Sequence, residues 1–504
     1  MKQLILTATA LFLLGFIPMF SMSQTIQKPN IIYILADDLG YGDVHHLNPE
    51  RGKIATPHID KMAEEGMFFT DAHSSSSVCT PTRYGILTGR YNWRTNLQRG
   101  VLWGFSEPLI DSDRITVANV MKQNGYTTAC FGKWHLGMTM PTTNGILPQG
   151  RKPKKLNIVW DEEIKDGPVD RGFDYFHGIS ASLDMAPYIY IENNRFVGKI
   201  EEDDKTITEK DFKRVEVLPE ICRKTVDYIR KQKQDKPFFA YVALTSPHTP
   251  ILPGAEWQGK SGLGKYGDFV MQTDWVVGQI LKAVDDAGLG ENTLVIVTSD
   301  NGCSKAANIK GLQEQGHYPS AQYRGSKADI WDGGHRIPFI VRWPANVKAG
   351  SSSNQLLCLT DLMATCADIT GSKLPDNAGE DSFSFLPALK GKKNGSERES
   401  VVHHSIDGYF AYRQGKWKLV LAKGSGGWTS PREKEVPEGS PEAQLYDMEK
   451  DPEEMNNLYD SHPKIVNQLL QQLQSDVTRG RSTEGTKVSN DIENIEIWKN
   501  KQTE

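Results

Sequence analysis

The stretch that decides the fold is Asn30-Ile31-Ile32-Tyr33-Ile34-Leu35-Ala36-Asp37-Asp38. Its apolar residues run without a polar break, so no face of the segment is reserved for water. A run this short and this apolar predicts a strand buried on both faces, as in a parallel sheet covered by helices. It stops abruptly at two carboxylates. The run Thr293 to Thr298 stops in a similar way, at Asp300-Asn301, and Phe238 to Leu244 and Pro338 to Trp343 are further buried-strand runs. Helical patterns lie between the strands. One has Thr56 as N-cap, Pro57 at the first position and Gly66 as its stop. A second, Ile115 to Asn124, closes on Gly125, and a third, Phe269 to Ala287, stops at Gly288. Strands alternating with helices predict an α/β fold with a mainly parallel sheet. Such folds collect their functional groups at the carboxyl ends of the strands, which is where these acids stand.

The chain of 504 residues is long enough for more than one domain. After about residue 385 its texture changes. Lys390 to Arg398 is polar and charged, and short strand-like runs follow at Val401–His404, Tyr409–Tyr412, Trp417–Leu421 and Gln444–Tyr446, then a helix near Pro463 to Val477. We expect a catalytic domain over 24–385 and a smaller α+β domain with an antiparallel sheet over 386–504. The tail from Arg479 is polar and shows little core-forming character. A formal net charge of −5 provides no broad basic field for nucleic acid.

The first residues read as a leader. Lys2 supplies a positive start, Leu4 to Phe20 is almost wholly apolar, and Ser21-Met22-Ser23 places small residues ahead of Gln24. This predicts a signal peptide over 1–23 and export to the periplasm or the exterior. The apolar stretch is short for a spanning helix and Pro18 interrupts it, so no stable membrane anchor is expected. The spacing of Cys79, Cys130, Cys222, Cys303, Cys358 and Cys366 gives neither a disulfide framework nor paired zinc ligands.

The sharpest motif is Ser77-Val78-Cys79-Thr80-Pro81-Thr82-Arg83, continuing to Ile86-Leu87-Thr88-Gly89-Arg90. It resembles the first signature of the type I sulfatases, in which C-x-P-x-R marks a cysteine for oxidation to formylglycine. Gly125-Tyr126-Thr127-Thr128-Ala129-Cys130-Phe131-Gly132-Lys133-Trp134-His135 resembles the second signature, with Phe131 bulkier than the family pattern leads us to expect. Asp37-Asp38 and Ser299-Asp300-Asn301-Gly302 resemble the two metal pairs. Ser246-Pro247-His248-Thr249-Pro250 resembles the segment bearing a substrate-facing histidine. Arg324-Gly325-Ser326-Lys327 with Asp332 to Pro338 resembles the block of the second active lysine, and Leu445-Tyr446-Asp447 the C-terminal domain. The likeness runs from about residue 28 to 475. It implies an alkaline-phosphatase-like fold of the branch containing arylsulfatases and N-acetylgalactosamine-6-sulfatases, and a maturation enzyme acting on Cys79.

The residues suit that chemistry on their own terms. Enzymes acting on such inert esters must lower the barrier by roughly 20 kcal/mol or more. Asp37, Asp38, Asp300 and Asn301 form an all-oxygen donor set, which favours calcium or magnesium over zinc; the resemblance implies one Ca²⁺, with position 79 also at the metal. Hydrated formylglycine has two hydroxyls, one to attack sulfur and one to lose its proton and expel sulfate, so one hard step becomes two easier ones. Arg83, four residues past Cys79, lies one turn on if Pro81 starts a helix. Lys133 and Lys327 are assigned to the sulfate oxygens. His135 is expected to take the proton during elimination, and His248, with Lys327, to protonate or bind the leaving oxygen. His335 and Arg336 are read as packing beneath the Lys327 loop.

Specificity is expected from loops over the mouth. Trp103, Asp184, His403, His404 and Trp428 are the residues selected there, aromatics for the apolar face of a sugar and polar groups for its hydroxyls. A sulfated glycan, with a 6-sulfated galactose or N-acetylgalactosamine at a chain end, is the expected substrate. Two other readings stay open at this level: a formylglycine-dependent phosphonate or phosphate ester hydrolase, and a glycan-binding protein with a dead site.

Overall fold

A computed structural model describes residues 28–153, 156–200, 208–392 and 398–499. The expected leader lies outside them. Among the described residues, ten strands form one sheet: β1 (Asn30–Asp37), β2 (Met67–Phe69), β4 (Thr127–Lys133), β5 (Tyr175–Ile179), β6 (Tyr190–Glu192), β7 (Arg195–Val197), β8 (Phe238–Pro247), β9 (Thr293–Ser299), β10 (Phe339–Arg342) and β11 (Ser351–Ser353). Their spatial order is β11-β2-β10-β9-β1-β8-β4-β5-β6-β7. The centre is parallel, with β1 between β9 and β8, and β4 beyond β8. Antiparallel pairs flank it through β10 on one side and β6 and β7 on the other. A two-stranded ladder of β3 (Ala72–His73) and β12 (Leu357–Cys358) lies apart.

Every residue of β1, β8 and β9 is buried, as their unbroken apolar runs require. Helices α1 (Pro57–Glu65), α2 (Cys79–Thr88), α3 (Val117–Gln123), α4 (Val217–Arg230) and α5 (Gly264–Asp286) supply the covering layers. α4 buries Val217, Leu218, Ile221, Cys222, Thr225 and Ile229, a stripe at helical spacing, and packs on β4 and β8. α2 and α3 form another packed group with the helix Leu362–Thr370. Thr56 stands at the N-cap of α1, but its hydroxyl donates to Asp60 rather than capping.

The bulky Phe131 is accommodated by its neighbour. Gly132 has φ +92°, and a Cβ there would fall 1.9 Å from the Ala243 carbonyl oxygen. Only glycine permits that backbone at that closeness. It breaks the strand's alternation, so Phe131 packs on Tyr175 and Tyr228 while Lys133 reaches Asp37.

The C-terminal strands β13 (Ser400–His404), β14 (Phe410–Gln414), β15 (Trp417–Val420) and β16 (Gln444–Asp447) form an antiparallel sheet in chain order. The helix Pro463–Arg479 packs on β14 and β15. Their apolar core also takes in Tyr91 and Trp93 from the segment after α2. The tail is not the loose polar end its composition suggests. Ile495, Ile497 and Trp498 pack on this core, and Asp491 pairs with the buried Arg90 at 2.9 Å. All six cysteines are free thiols.

Asp381 joins these parts. Its carboxylate receives both Nε and Nη2 of Arg94 at 2.8 Å, the Tyr91 amide at 2.9 Å and the Ser482 amide at 3.0 Å. Removing one partner of a buried ion pair leaves an uncompensated charge. Asp381→Ala is expected to cost about 3–5 kcal/mol, read as a lower guanidinium midpoint; a loss within 0.5 kcal/mol, as at ordinary surface sites, would contradict this role.

Candidate active site

Four neighbouring parallel strands end at one place. β9 delivers Asp300 and Asn301, β1 delivers Asp37 and Asp38, β8 delivers His248, and β4 delivers Lys133 and then His135. The Asp300 amide donates to the Ala36 carbonyl at 3.1 Å, so the two acidic turns are held together by backbone. Cys79 opens α2, with Arg83 one turn further along it. Lys327 enters on the loop before Trp331, its amide bonded to the Cys303 carbonyl at 2.9 Å. All of these side chains are buried.

The site is a lattice of opposite charges. Arg83 donates twice to Asp300 Oδ2, at 2.7 and 3.1 Å, and Nη1 to the Lys133 carbonyl at 2.9 Å. Lys133 Nζ lies 2.8 Å from Asp37 Oδ2, and Lys327 Nζ 2.7 Å from Asp38 Oδ1. Burial alone raises the Asp37 carboxyl, but Lys133, His248, Arg83 and Lys327 outweigh it and hold Asp37 well below the usual range. Asp300 is pushed up to about 6, first by burial and then by the charge of Asp37. Burial raises the Cys79 thiol.

The donor set fits a hard divalent cation. Asp37, Cys79 and Asp300 present ligand atoms within 4.8 Å of one another, and so do Asp37, Asp38 and His248. Asn301 spends its amide nitrogen on Asp38 Oδ1 at 2.7 Å, which leaves Asn301 Oδ1 buried without a hydrogen-bond partner. Asp37 Oδ1 likewise accepts no hydrogen bond, with Arg83 Nη2 3.6 Å away. Buried, unpartnered oxygens beside carboxylates are what calcium-type coordination uses.

The two histidines differ in the nitrogen they offer. His135 Nε2 donates to the Leu102 carbonyl at 2.8 Å, and its Nδ1 is buried without a partner. Burial, then Lys133 and Arg83, push its pKa well down, so the free Nδ1 is a neutral base. His248 Nδ1 donates to the Thr249 carbonyl at 2.6 Å, with Ser182 Oγ at 3.1 Å, and Nε2 lies 3.7 Å from Asp38 Oδ2. Sequence reasoning missed Ser182. It sits in the loop already selected for Asp184, but no motif singles it out.

At the mouth, Trp103 is 38% exposed and follows the carbonyl that holds His135. Trp428 is half-buried, its amide on Asp329 and its ring 4.8 Å from Lys305 Nζ. Asp184 is half-buried and paired with Arg151. His403 and His404 correct the sequence reading. They lie in β13, both buried, His403 stacked between His73 and His335, and His404 against Phe410. They line no mouth, because strand pairing turns them into the interior.

The sulfatase profile matches residues 29–372, more than half of the chain. The chain belongs to the sulfatase family. A second profile, N-sulphoglucosamine sulphohydrolase, C-terminal, matches residues 326–481 of this sulfatase. It is 34% identical to an N-acetylgalactosamine-6-O-sulfatase of Bacteroides thetaiotaomicron, across 90% of this chain and 94% of that protein. It is 32% identical to human arylsulfatase A, across 89% and 87%. A solved structure concerning metabolism of multiple glycosaminoglycans by Bacteroides thetaiotaomicron superimposes with a TM-score of 0.77 at 33% identity, covering 89% of this chain and 99% of that one. The sulfatase is thus a sulfuric ester hydrolase of the arylsulfatase and N-acetylgalactosamine-6-sulfatase-like branch, with the alkaline-phosphatase-like sheet expected of it.

Calcium added to chelator-stripped sulfatase is expected to raise its melting temperature, by about 2.7 kcal/mol of stability at 100 times the dissociation constant. Asn301→Ala should lose most of that shift. Identical melting curves with and without calcium would remove the cation from the site.

Proposed function

We propose that this sulfatase removes sulfate from a sulfated carbohydrate, with Cys79 matured to formylglycine and one Ca²⁺ held by Asp37, Asp38, Asp300, Asn301 and position 79. The observation that supports it is the position of Cys79. It stands at the first residue of α2, against Asp37 and Asp300, with Arg83, Lys133 and Lys327 gathered around the same acidic cluster. Formylglycine would supply a hydrated aldehyde with two hydroxyls, and calcium a Lewis acid that orients the sulfate.

The chain's own residues then have distinct tasks. Arg83 neutralises Asp300 and fixes α2 against β4. Lys133 and Lys327 now rest on the carboxylate oxygens that a cation would occupy; with those oxygens committed, both ammoniums can turn to the sulfate. His135, fixed by the Leu102 carbonyl, offers Nδ1 to take a proton from position 79. His248, anchored by Thr249 and Ser182, presents Nε2 toward the leaving oxygen with Lys327 close by. The relative that acts on 6-O-sulfated N-acetylgalactosamine supports a 6-sulfated N-acetylgalactosamine or galactose as substrate, met outside the cell after export.

The tryptic peptide containing Cys79, from protein made in its native host, is expected to be ~18 Da lighter than its thiol form, as replacement of CH₂SH by CHO requires. An unmodified thiol would remove the nucleophile. In the matured enzyme, Lys133→Ala and Lys327→Ala should each lower turnover of a sulfated sugar roughly 100- to 1,000-fold; near-normal turnover in either would strike that lysine from the sulfate site.

A further inference from the structure

Next to the segment that carries His248 lies a cavity of about 560 Å³, lined by Arg151, Lys152, Asp184, Tyr188, Arg214 and Thr249 among others. Among the described residues three cations and one carboxylate face it, in a chain whose net charge is −5. Its local field therefore opposes that of the whole molecule and favours anions. The carboxylate is already committed: Arg151 pairs with Asp184 and also donates Nε to the Asp184 carbonyl at 3.0 Å. Lys152 and Arg214 form no ion pair among the described residues. The Arg214 guanidinium lies 3.9 Å from the centre of the Tyr188 ring, which holds it at the wall. Two cations without an ion pair among the described residues, on the wall of a cavity that Thr249 joins to the segment carrying His248, make a site suited to an anion.

We propose that this cavity binds a second anionic group of the substrate, a sulfate or a carboxylate beside the ester being cleaved, through Lys152 and Arg214. The inference rests on the sugar-sulfate reading above and narrows it to glycans with at least two negative charges per recognised unit. Arg214 has the planar fork that matches an oxyanion.

The test is calorimetric binding to the full-length Cys79→Ala protein in calcium. Three ligands are compared: N-acetylgalactosamine 6-sulfate, the same sugar linked to a uronic acid, and N-acetylgalactosamine 4,6-disulfate. At least one dianion should bind about tenfold more tightly than the monosulfate, the value of one charge-assisted contact. Whichever dianion gains identifies the second group as carboxylate or sulfate. The ratio should collapse toward one in Lys152→Ala/Arg214→Ala and survive in part in Arg214→Lys; a ratio within one protein is insensitive to general damage. Equal binding of all three sugars overturns the inference and leaves the sugar-sulfate reading standing. A ratio unchanged in the double variant overturns the assignment to these residues. Binding of 4-nitrophenyl sulfate with no binding of any sugar overturns the sugar reading and this inference with it.

Discussion

Asp37, Asp38 and Asp300 are buried together, and like charges about 4 Å apart repel by roughly 4 kcal/mol even at an effective dielectric constant near 20. The rest of the site follows from that repulsion. Each carboxylate receives its own cation from a different element: Asp300 from Arg83 on α2, Asp37 from Lys133 at the end of β4, and Asp38 from Lys327 on its loop. Charge balance therefore draws a helix, a strand and a loop to one point. Cys79 arrives with them, because Arg83 is one turn away on the same helix. The compensation is incomplete, since Asp300 is still pushed up to about 6 and oxygens of Asp37 and Asn301 stay unbonded.

The smaller sheet belongs to the same construction. The His404 carbonyl accepts the Ser77 amide at 3.1 Å and Ser76 Oγ at 2.8 Å. The Ser77 carbonyl accepts the Ala328 amide at 2.8 Å, and the Ala328 carbonyl accepts the Ile406 amide at 3.2 Å. The backbone just before Cys79 and the backbone just after Lys327 are thus stitched to each other and to β13. Below them Asp332 is held by Lys418 at 2.7 Å and Arg336 at 3.0 Å. Cys79 and Lys327 keep their separation because the backbone beside each is tied to the end of β13. In this setting His73, His335 and His403 form a stack whose pKa values burial pushes down, so they are neutral rings filling space between charged layers.

What was legible in the sequence was local. Apolar runs ending in acids marked β1 and β9, and the Cys79, Lys133 and His248 motifs fell at the ends of elements, with the Lys327 motif on a loop, all of which the structure brings together. Phe131 looked anomalous only because the backbone conformation of Gly132 has no sequence signature beyond glycine itself. His403 and His404 misled because a histidine pair reads as polar, whereas pairing of β13 with β14 buries both positions. The tail misled for the opposite reason: a few apolar residues among many polar ones suffice when a prepared groove awaits them. The second cavity was the least legible part. Arg151-Lys152 begins a visible basic run, but Asp184 and Tyr188 share a loop some thirty residues on and Arg214 opens the short helix Arg214–Glu216, and only the fold makes them neighbours.

Backbone conformation at the centre follows from the same demand for convergence. Asp38 and His135, neither of them glycine, have φ of 68° and 57°. Left-handed backbone at such residues costs on the order of 1–3 kcal/mol each and persists only where the surroundings over-determine it. Asp38 stands one residue and His135 two residues beyond a strand of the parallel centre, where the chain must leave the sheet and still aim a side chain at the cluster. A relaxed turn at Asp38 would move its carboxylate away from Lys327 and Asn301. A relaxed turn at His135 would withdraw Nε2 from Leu102 and leave the ring free to rotate. The strain is set against the ion pairs and hydrogen bonds it makes possible, so the same contacts that balance the buried charges also hold the backbone that presents them.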